Sequence, residues 1–236
     1  MCTVSFVFSN GKTIITSNRD EKVLRPSAIE PKSYLVNNKK IVFPKDSKAG
    51  GTWYAISPEG TVLVLLNGAA EKHHLKPFYR RSRGLIVLDI ISSNCAFNEW
   101  NSIDLTDIEP FTLVLFENNK LYQLRWNELQ KESLELNVEL NHIWSSSTLY
   151  SREIREERAE WFDSFTNINP EITPEELFNF HRYTESQNKD HGLIINRNEE
   201  MKTLSITQTV IEKNKRQVFY SDLITNKEFS NTFLTV

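Results

Sequence analysis

The chain has 236 residues, of which 39% are hydrophobic and 25% are charged, and its formal net charge is −3. This length can bury one large core, so we predict a single domain over residues 1–236. The weak negative charge argues against nucleic acid as a partner, and the apolar stretches are shorter than the ~20 residues of a membrane span.

The cysteine and histidine content restricts the chemistry further. Two cysteines, Cys2 and Cys95, are too few for a disulfide framework or a four-cysteine zinc site. The histidines do not have the spacing of metal ligands, so we predict no metal. The first residues lack the charged and apolar regions of a secretory signal. These features predict a cytoplasmic protein with reduced thiols.

The first half of the chain reads as antiparallel strands. Residues 3–9 and 12–18 are rich in Thr, Val, Ile and Phe, and Asn10-Gly11 between them is a strong signal for a two-residue hairpin turn. Further strands are predicted at residues 34–43, 52–57 and 61–67. A helix is then predicted from Pro77 to about Ser92, from its apolar spacing.

The second half predicts a hairpin, two helices and closing strands. The hairpin within residues 111–127 turns at Asn118-Asn119, and a short strand follows at residues 141–148. One helix is predicted from about Leu149 to Phe165. A second begins with Thr173 as N-cap and Glu176 closing a capping box. Strands within residues 202–211 and 215–223 end the pattern, which is typical of an α+β fold with antiparallel sheets covered by helices.

The first hairpin places Cys2 opposite Arg19. With Asn10 and Gly11 as the loop, the residue numbers of each cross-strand pair sum to 21. Directly opposed side chains have Cβ atoms ~4.5 to 5.5 Å apart, so the thiol and the guanidinium are expected to be neighbours. A fixed positive charge favours the thiolate, which is the nucleophilic form of cysteine.

Removal of Met1 would make Cys2 a nucleophile with its own base. The freed α-amine, with a pKa of about 7.7 to 8.0, can take the thiol proton. Asp20 could orient that ammonium, although strand alternation directs Asp20 to the face opposite Arg19. If Met1 stays, only the thiol and Arg19 remain. The alternative interpretation is that Cys2 fills the core and residues 18–21 form a solvated turn.

Six sequence features in order resemble one known family. They are Cys2, "SNRDE" at 17–21, "AGGTWYAIS" at 49–57, "LLNG" at 65–68, "SRG" at 82–84 and "WSSSTLYS" at 144–151. Together they resemble the NRDE family, also called the transport and Golgi organisation protein 2 family. The resemblance implies a four-layer α-β-β-α sandwich of two antiparallel sheets flanked by helices, similar to the N-terminal-nucleophile hydrolases.

The resemblance also implies roles for individual residues. Cys2 resembles the acylase nucleophile, and Arg19 and Asp20 resemble its supporting pair. Asn67 resembles the amide of the oxyanion hole, with a turn residue before Gly68 as the alternative. Ser146 stands where relatives often carry Asn, which puts full acylase competence in doubt. The other motif residues, expected to bind substrate, are Asn18, Trp53 and Arg83.

Two functions follow from these features. The first is a cysteine amidohydrolase-like enzyme that cleaves a small amide or acyl substrate through Cys2 and needs no cofactor. The alternative, also implied by the resemblance, is a non-catalytic carrier of haem, an acyl lipid or acyl-CoA on the same fold. The basic segment at residues 71–84 could hold a carboxylate or phosphate, or form an ordinary solvated loop. Substrate identity and oligomeric state are left open.

Overall fold

The computed structural model describes residues 3–234, which belong to two compact units. The first unit comprises Met1–Arg25 and Glu139–Val236, and the second comprises Pro26–Val138. The single domain over residues 1–236 stays a prediction.

Strands and helices account for most of the described chain. In chain order, the strands are β1 (Thr3–Ser9), β2 (Lys12–Lys22), β3 (Ile29–Val36), β4 (Lys39–Lys45), β5 (Tyr54–Ile56), β6 (Val62–Asn67), β7 (Phe111–Glu117), β8 (Lys120–Trp126), β9 (Lys131–Leu136), β10 (His142–Ser145), β11 (Asn196–Arg197), β12 (Met201–Glu212), β13 (Lys215–Asp222) and β14 (Lys227–Leu234). The helices are α1 (Arg83–Ile91), α2 (Ala96–Ser102), α3 (Arg152–Ile168) and α4 (Pro174–Tyr183).

The first unit contains one antiparallel sheet in the order β10-β1-β2-β12-β13-β14, with β11 paired to β12. The hairpin of β1 and β2 turns at Asn10 and Gly11, whose φ angles of 51° and 71° suit the two-residue hairpin turn. The register runs from Thr3 opposite Asn18 to Ser9 opposite Lys12, which confirms the predicted pairing over these residues. Cys2, the predicted partner of Arg19, lies outside the described residues.

Helices α3 and α4 belong to the core on one face of this sheet. Val7 and Ile14 are opposite each other on β1 and β2, so their side chains share a face. They cluster with Phe162 of α3 and with Leu177 and Phe180 of α4, all 5% exposed or less. Side chains alternate along a strand. The face of the sheet that packs against α3 and α4, here called the helix face, therefore also carries Thr3, Ser5, Asn18 and Asp20.

The second unit contains an antiparallel sheet in the order β3-β4-β5-β6-β7-β8-β9. Strands β6 and β7 are almost wholly apolar and buried. Helix α1 packs against β5 and β6, and α2 packs against β7. The α2 N-terminus is capped by the Glu117 carboxylate, which accepts from the backbone N–H of Ala96 at 2.7 Å and of Phe97 at 3.1 Å.

Several predicted elements need correction. The strand predicted at residues 34–43 is wrong, because Asn37 and Asn38 adopt positive φ angles of 48° and 65° and turn the chain between β3 and β4. Asn tolerates this left-handed backbone better than most residues. The helix predicted from Pro77 begins only at Arg83, after the N-cap Ser82. The sequence interpretation also missed α2, β9, β11 and β14.

The second half of the chain agrees better with prediction. Helix α3 runs three residues later than predicted at each end. Helix α4 has the predicted Thr173 N-cap and capping box, because Glu176 and Thr173 bond each other's backbone N–H groups. Among residues 3–234, no helix combines the length and apolar character that crossing a membrane requires.

Candidate active site

Arg19 carries a buried positive charge near the end of β2. It lies opposite Ser205 of β12, and its side chain is only 3% exposed. Arg19 immediately follows Asn18, the partner of Thr3, so it is next to the beginning of the described chain. Burying a guanidinium costs free energy unless the group is paired, and such a cost is often accepted at a binding or catalytic site.

Asp20 is held by two hydroxyl donors on the helix face of the sheet. The Tyr150 hydroxyl donates to Asp20 Oδ2 at 2.7 Å, and the Thr203 hydroxyl donates to Oδ1 at 2.6 Å. Hydrogen bonds to an ionised carboxylate are stronger than bonds between neutral groups. The carboxylate is 2% exposed and has a fixed orientation. As strand alternation predicts, Asp20 and Arg19 direct their side chains to opposite faces.

The ring of Tyr150 lies between Asp20 and a second buried arginine. Arg158 of α3 is wholly buried, and its guanidinium lies 3.6 Å from the Tyr150 ring centre. Its Nη1 donates to Thr3 Oγ1 at 2.6 Å. Its Nε and Nη2 donate to the carbonyls of His191 and Gly192 at 3.1 and 2.5 Å. Arg158 therefore links the start of β1 to the Tyr150–Asp20 pair.

Asn18 belongs to a separate buried network. Its amide nitrogen donates to the carbonyls of His181 and Leu193 at 3.1 and 2.7 Å, which uses both amide hydrogens. Its Oδ1 must then accept from His181 Nδ1 at 2.7 Å, so His181 Nε2 accepts from the Ser5 hydroxyl at 2.7 Å. These contacts give Asn18 a structural function, and direct substrate binding by Asn18 stays a prediction.

His181 is neutral in this network. Burial, and to a smaller extent the charge of Arg158, lowers the pKa of His181 to about 3. A neutral imidazole with one donor and one acceptor matches both of its partners. The network fastens α4 and the segment around Leu193 to the strands that lead to the chain start.

Ser146 also lies near the beginning of β1. It directly follows Ser145, the β10 residue opposite Thr3, and it is 1% exposed. Its hydroxyl lies 2.9 Å from that of Thr148, and its carbonyl accepts from the Tyr150 backbone N–H at 3.1 Å. In the first unit, Arg19, Asp20 and Ser146 therefore lie next to the strand positions that pair with Thr3, with Arg19 on the face opposite Asp20.

The other predicted site residues belong to the second unit. Trp53 is 3% exposed, and its carbonyl accepts from the Leu65 N–H at 2.9 Å. Asn67 is the last residue of β6 and pairs with Phe111 of β7. The roles of Trp53 and Asn67 stay predictions.

Arg83 and the Asn67-Gly68 turn converge on one backbone carbonyl. Arg83 Nη1 donates to the Pro110 carbonyl at 3.0 Å, and the Gly68 N–H donates to the same oxygen at 3.0 Å. Arg83 also pairs with Glu109 at 3.0 Å, and His73 Nε2 lies 3.3 Å from the same carboxylate oxygen. The "LLNG" segment at 65–68 and the "SRG" segment at 82–84 are therefore both bonded to residues 109–110.

Several cations of the basic segment at residues 71–84 form ion pairs with acidic residues. Lys76 pairs with Glu128 at 3.2 Å, Arg80 with Asp104 at 3.1 Å, and Arg81 with Asp89 at 2.7 Å. These partners offset the positive charge locally. They favour the alternative in which residues 71–84 form an ordinary surface loop and helix start.

The sequence interpretation missed Tyr150, Arg158, Thr203 and His181. Tyr150 lies inside the "WSSSTLYS" segment, but nothing in the segment alone shows that the tyrosine reaches Asp20. Arg158 lies four residues before the buried Phe162 on α3. That spacing places an arginine on the apolar stripe of the helix, and this was an available signal for a buried cation.

Solved structures of hydrolases have a similar fold. An N-acylethanolamine-hydrolyzing acid amidase ortholog from Caenorhabditis elegans is 11% identical, with a TM-score of 0.63 over 88% of this chain and 92% of its own. Two variants of the conjugated bile acid hydrolase from Clostridium perfringens are each 10% identical. Their TM-scores are 0.54 and 0.56, over 98% and 100% of this chain and 92% and 97% of theirs.

These similarities confirm the predicted fold class, an α+β arrangement of antiparallel sheets and helices similar to that of these hydrolases. The family model described as Transport and Golgi organisation 2 matches residues 1–226. The chain therefore belongs to this family, as its motifs predict. None of the curated proteins compared with it is a match.

Proposed function

We propose that the protein is a cysteine amidohydrolase whose nucleophile is Cys2. The observation that carries the proposal is the set of buried polar groups around Thr3, the residue that follows Cys2. Arg19 lies on one face of the strand pair, and the Asp20 carboxylate is fixed by Tyr150 and Thr203 on the other. The hydrolases with a similar fold show that this fold can provide the scaffold for such chemistry.

The reaction follows from the chemistry of an amino-terminal cysteine. Once Met1 is removed, the α-amine of Cys2 accepts the thiol proton, and the thiolate attacks the amide carbonyl carbon. The tetrahedral intermediate collapses as the C–N bond breaks, and the ammonium returns its proton to the leaving amine. Water then attacks the thioester, which releases the carboxylic acid and regenerates the thiol. No cofactor enters these steps.

The surrounding residues have complementary functions in this proposal. Arg19 favours the thiolate by its positive charge, and Asp20 favours the ammonium form of the amine during the reaction. Ser146, in the same unit as Cys2, is the proposed donor to the oxyanion, an interaction that is typically worth ~2.7 to 4 kcal/mol. A serine hydroxyl can donate in place of the amide that relatives often carry at that position.

Hydrolysis of two amides provides the first test. The purified protein, with the mass of the chain lacking Met1, is incubated with an N-acylethanolamine and with a glycine-conjugated bile acid, the substrate classes named for the structural neighbours. We expect slow turnover of an amide and an acyl adduct on Cys2 in the intact mass spectrum. Cys2→Ala abolishes both, whereas Cys95→Ala, the matched control, changes neither.

The carrier alternative gives a different result. A haem absorbance shift or stable acyl-CoA binding that is unchanged in Cys2→Ala, without any acyl adduct, would favour a non-catalytic carrier. Turnover that persists in Cys2→Ala would also contradict the proposed nucleophile.

A further inference from the structure

Arg158 is a buried cation that contacts neutral groups in the part of the chain that the structure describes. It is wholly buried in α3, and within residues 3–234 its hydrogen bonds go to two backbone carbonyls and one hydroxyl. Removing a guanidinium from water costs several kcal/mol unless strong interactions offset the loss. An apolar side chain could fill the same space without this cost. We therefore expect the positive charge of Arg158 to have a function.

One hydrogen bond of Arg158 goes to the beginning of the described chain. Nη1 donates to Thr3 Oγ1 at 2.6 Å, and Thr3 is joined to Cys2 by one peptide bond. The guanidinium carbon lies 3.6 Å from the centre of the Tyr150 ring, whose hydroxyl donates to Asp20. Nε and Nη2 hold the carbonyls at residues 191–192. One side chain thus fixes residue 3 relative to the Asp20 carboxylate.

We propose that Arg158 is a positioning residue for the Cys2 nucleophile, which fixes Thr3 and favours the thiolate form of the neighbouring thiol by its charge. This inference rests on the proposed function, because it concerns the ionisation of the same nucleophile. It adds to that proposal a second buried arginine, on a helix that the family motifs do not include.

The charges around this end of the sheet determine the direction of the effect. The titratable and charged groups on the elements packed there are the following: Arg19 and Asp20 on β2, His142 on β10, Tyr150 in the segment before α3, Arg155 and Arg158 on α3, His181 on α4, Arg197 on β11 and Asp222 on β13. His181 is neutral, and the Asp20 carboxylate opposes the thiolate. Arg197 lies 5.1 Å from the Tyr150 ring centre and adds a further positive charge. Loss of the Arg158 charge is therefore expected to raise the pKa of the thiol.

The pH dependence of alkylation tests this expectation. Iodoacetamide labelling of Cys2 is followed by peptide mass from pH 5 to 9, with Cys95 in the same molecule as the internal reference. Arg158→Gln is expected to move the midpoint for Cys2 upward by about 0.5 to 1 pH unit and to slow labelling at pH 7 about threefold to tenfold. Arg152→Gln, which removes an exposed arginine from the same helix, leaves the midpoint unchanged.

A second pair of variants covers the case in which Arg158→Gln does not fold. Thr3→Val keeps the shape of the side chain but removes the acceptor of Nη1, and Thr3→Ser keeps the hydroxyl. We expect Thr3→Val to slow Cys2 labelling at pH 7 at least twofold and Thr3→Ser to restore the wild-type rate. Wild-type rates in Thr3→Val would overturn the positioning function, as would an unchanged midpoint in folded Arg158→Gln.

The wild-type protein separates the two proposals. If Cys2 of the wild-type protein is labelled no faster than Cys95, the proposed nucleophile itself is wrong. If wild-type Cys2 is labelled faster but Arg158→Gln and Thr3→Val behave as wild type, only the function of Arg158 is wrong.

Discussion

At the residue scale, the buried imidazole of His181 makes the stability of the protein depend on pH. Its pKa is lowered to about 3, chiefly by burial, whereas the unfolded chain has a histidine pKa near 6.5. Between these values the unfolded state binds more protons, so the free energy of unfolding falls as the pH falls. We expect His181 to contribute a slope of about 1 kcal/mol per pH unit between pH 6 and 5.

Urea unfolding at pH 7, 6 and 5 measures this slope. His181→Gln is less stable at pH 7, because it disrupts the bonds to Asn18 and Ser5, but its free energy of unfolding depends less on pH than that of the wild type. His142→Gln, at a half-buried histidine on β10, is the control and keeps the wild-type slope. Equal slopes for wild type and His181→Gln would show that His181 does not titrate as described.

At the element scale, two glycines set the contact between the segment before β5 and the start of α1. A Cβ on Gly51 would lie 2.4 Å from the Gly84 carbonyl carbon, and a Cβ on Gly84 would lie 2.9 Å from the Thr52 carbonyl oxygen. The Thr52 N–H donates to the Gly84 carbonyl at 3.1 Å across this contact. The glycines of the "AGGTW" and "SRG" motifs thus serve a close approach of two backbones.

Gly51→Ala is therefore expected to destabilise the protein. Neither backbone can move aside as a flexible side chain could, so we expect a loss of about 1 to 3 kcal/mol in the free energy of unfolding, measured by urea denaturation. Gly11→Asn is the control and is expected to lose less stability than Gly51→Ala. Asn tolerates the positive φ of a hairpin turn, and the space around a Cβ at Gly11 is open. A loss below about 0.5 kcal/mol in Gly51→Ala would contradict the close approach.

Several strands, turns and helices show what local sequence can predict. The β1–β2 hairpin and the α4 capping box were predicted correctly, because Asn10-Gly11 and Thr173-Glu176 act through bonds to residues nearby in the chain. The β3–β4 turn at Asn37-Asn38 was missed, although an Asn-Asn pair also forms the turn predicted at residues 118–119, because residues 34–43 were interpreted as one continuous strand. The start of α1 was predicted too early, because the apolar spacing covers only residues 85–91 and the helix begins after its N-cap Ser82.

At the scale of the whole molecule, the ordered motifs predicted the family and the fold class, since six short features in sequence are specific together. They did not predict how the site residues are held. Asp20 depends on Thr203, which lies 183 residues away, and Thr3 depends on Arg158, which lies 155 residues away. Such contacts arise from tertiary packing, and no local pattern encodes them.

If the proposed function is correct, the folded chain begins with its own nucleophile, a free Cys2 that carries both an amine and a thiol. The most direct measurement is condensation with 2-cyanobenzothiazole, which requires both groups on one amino-terminal residue, read by intact mass and peptide mapping. We predict a chain without Met1 that gains one benzothiazole group on Cys2 while folded, with Cys95 unmodified. A chain that retains Met1, or a folded protein whose Cys2 condenses only after unfolding in urea, would contradict the claim.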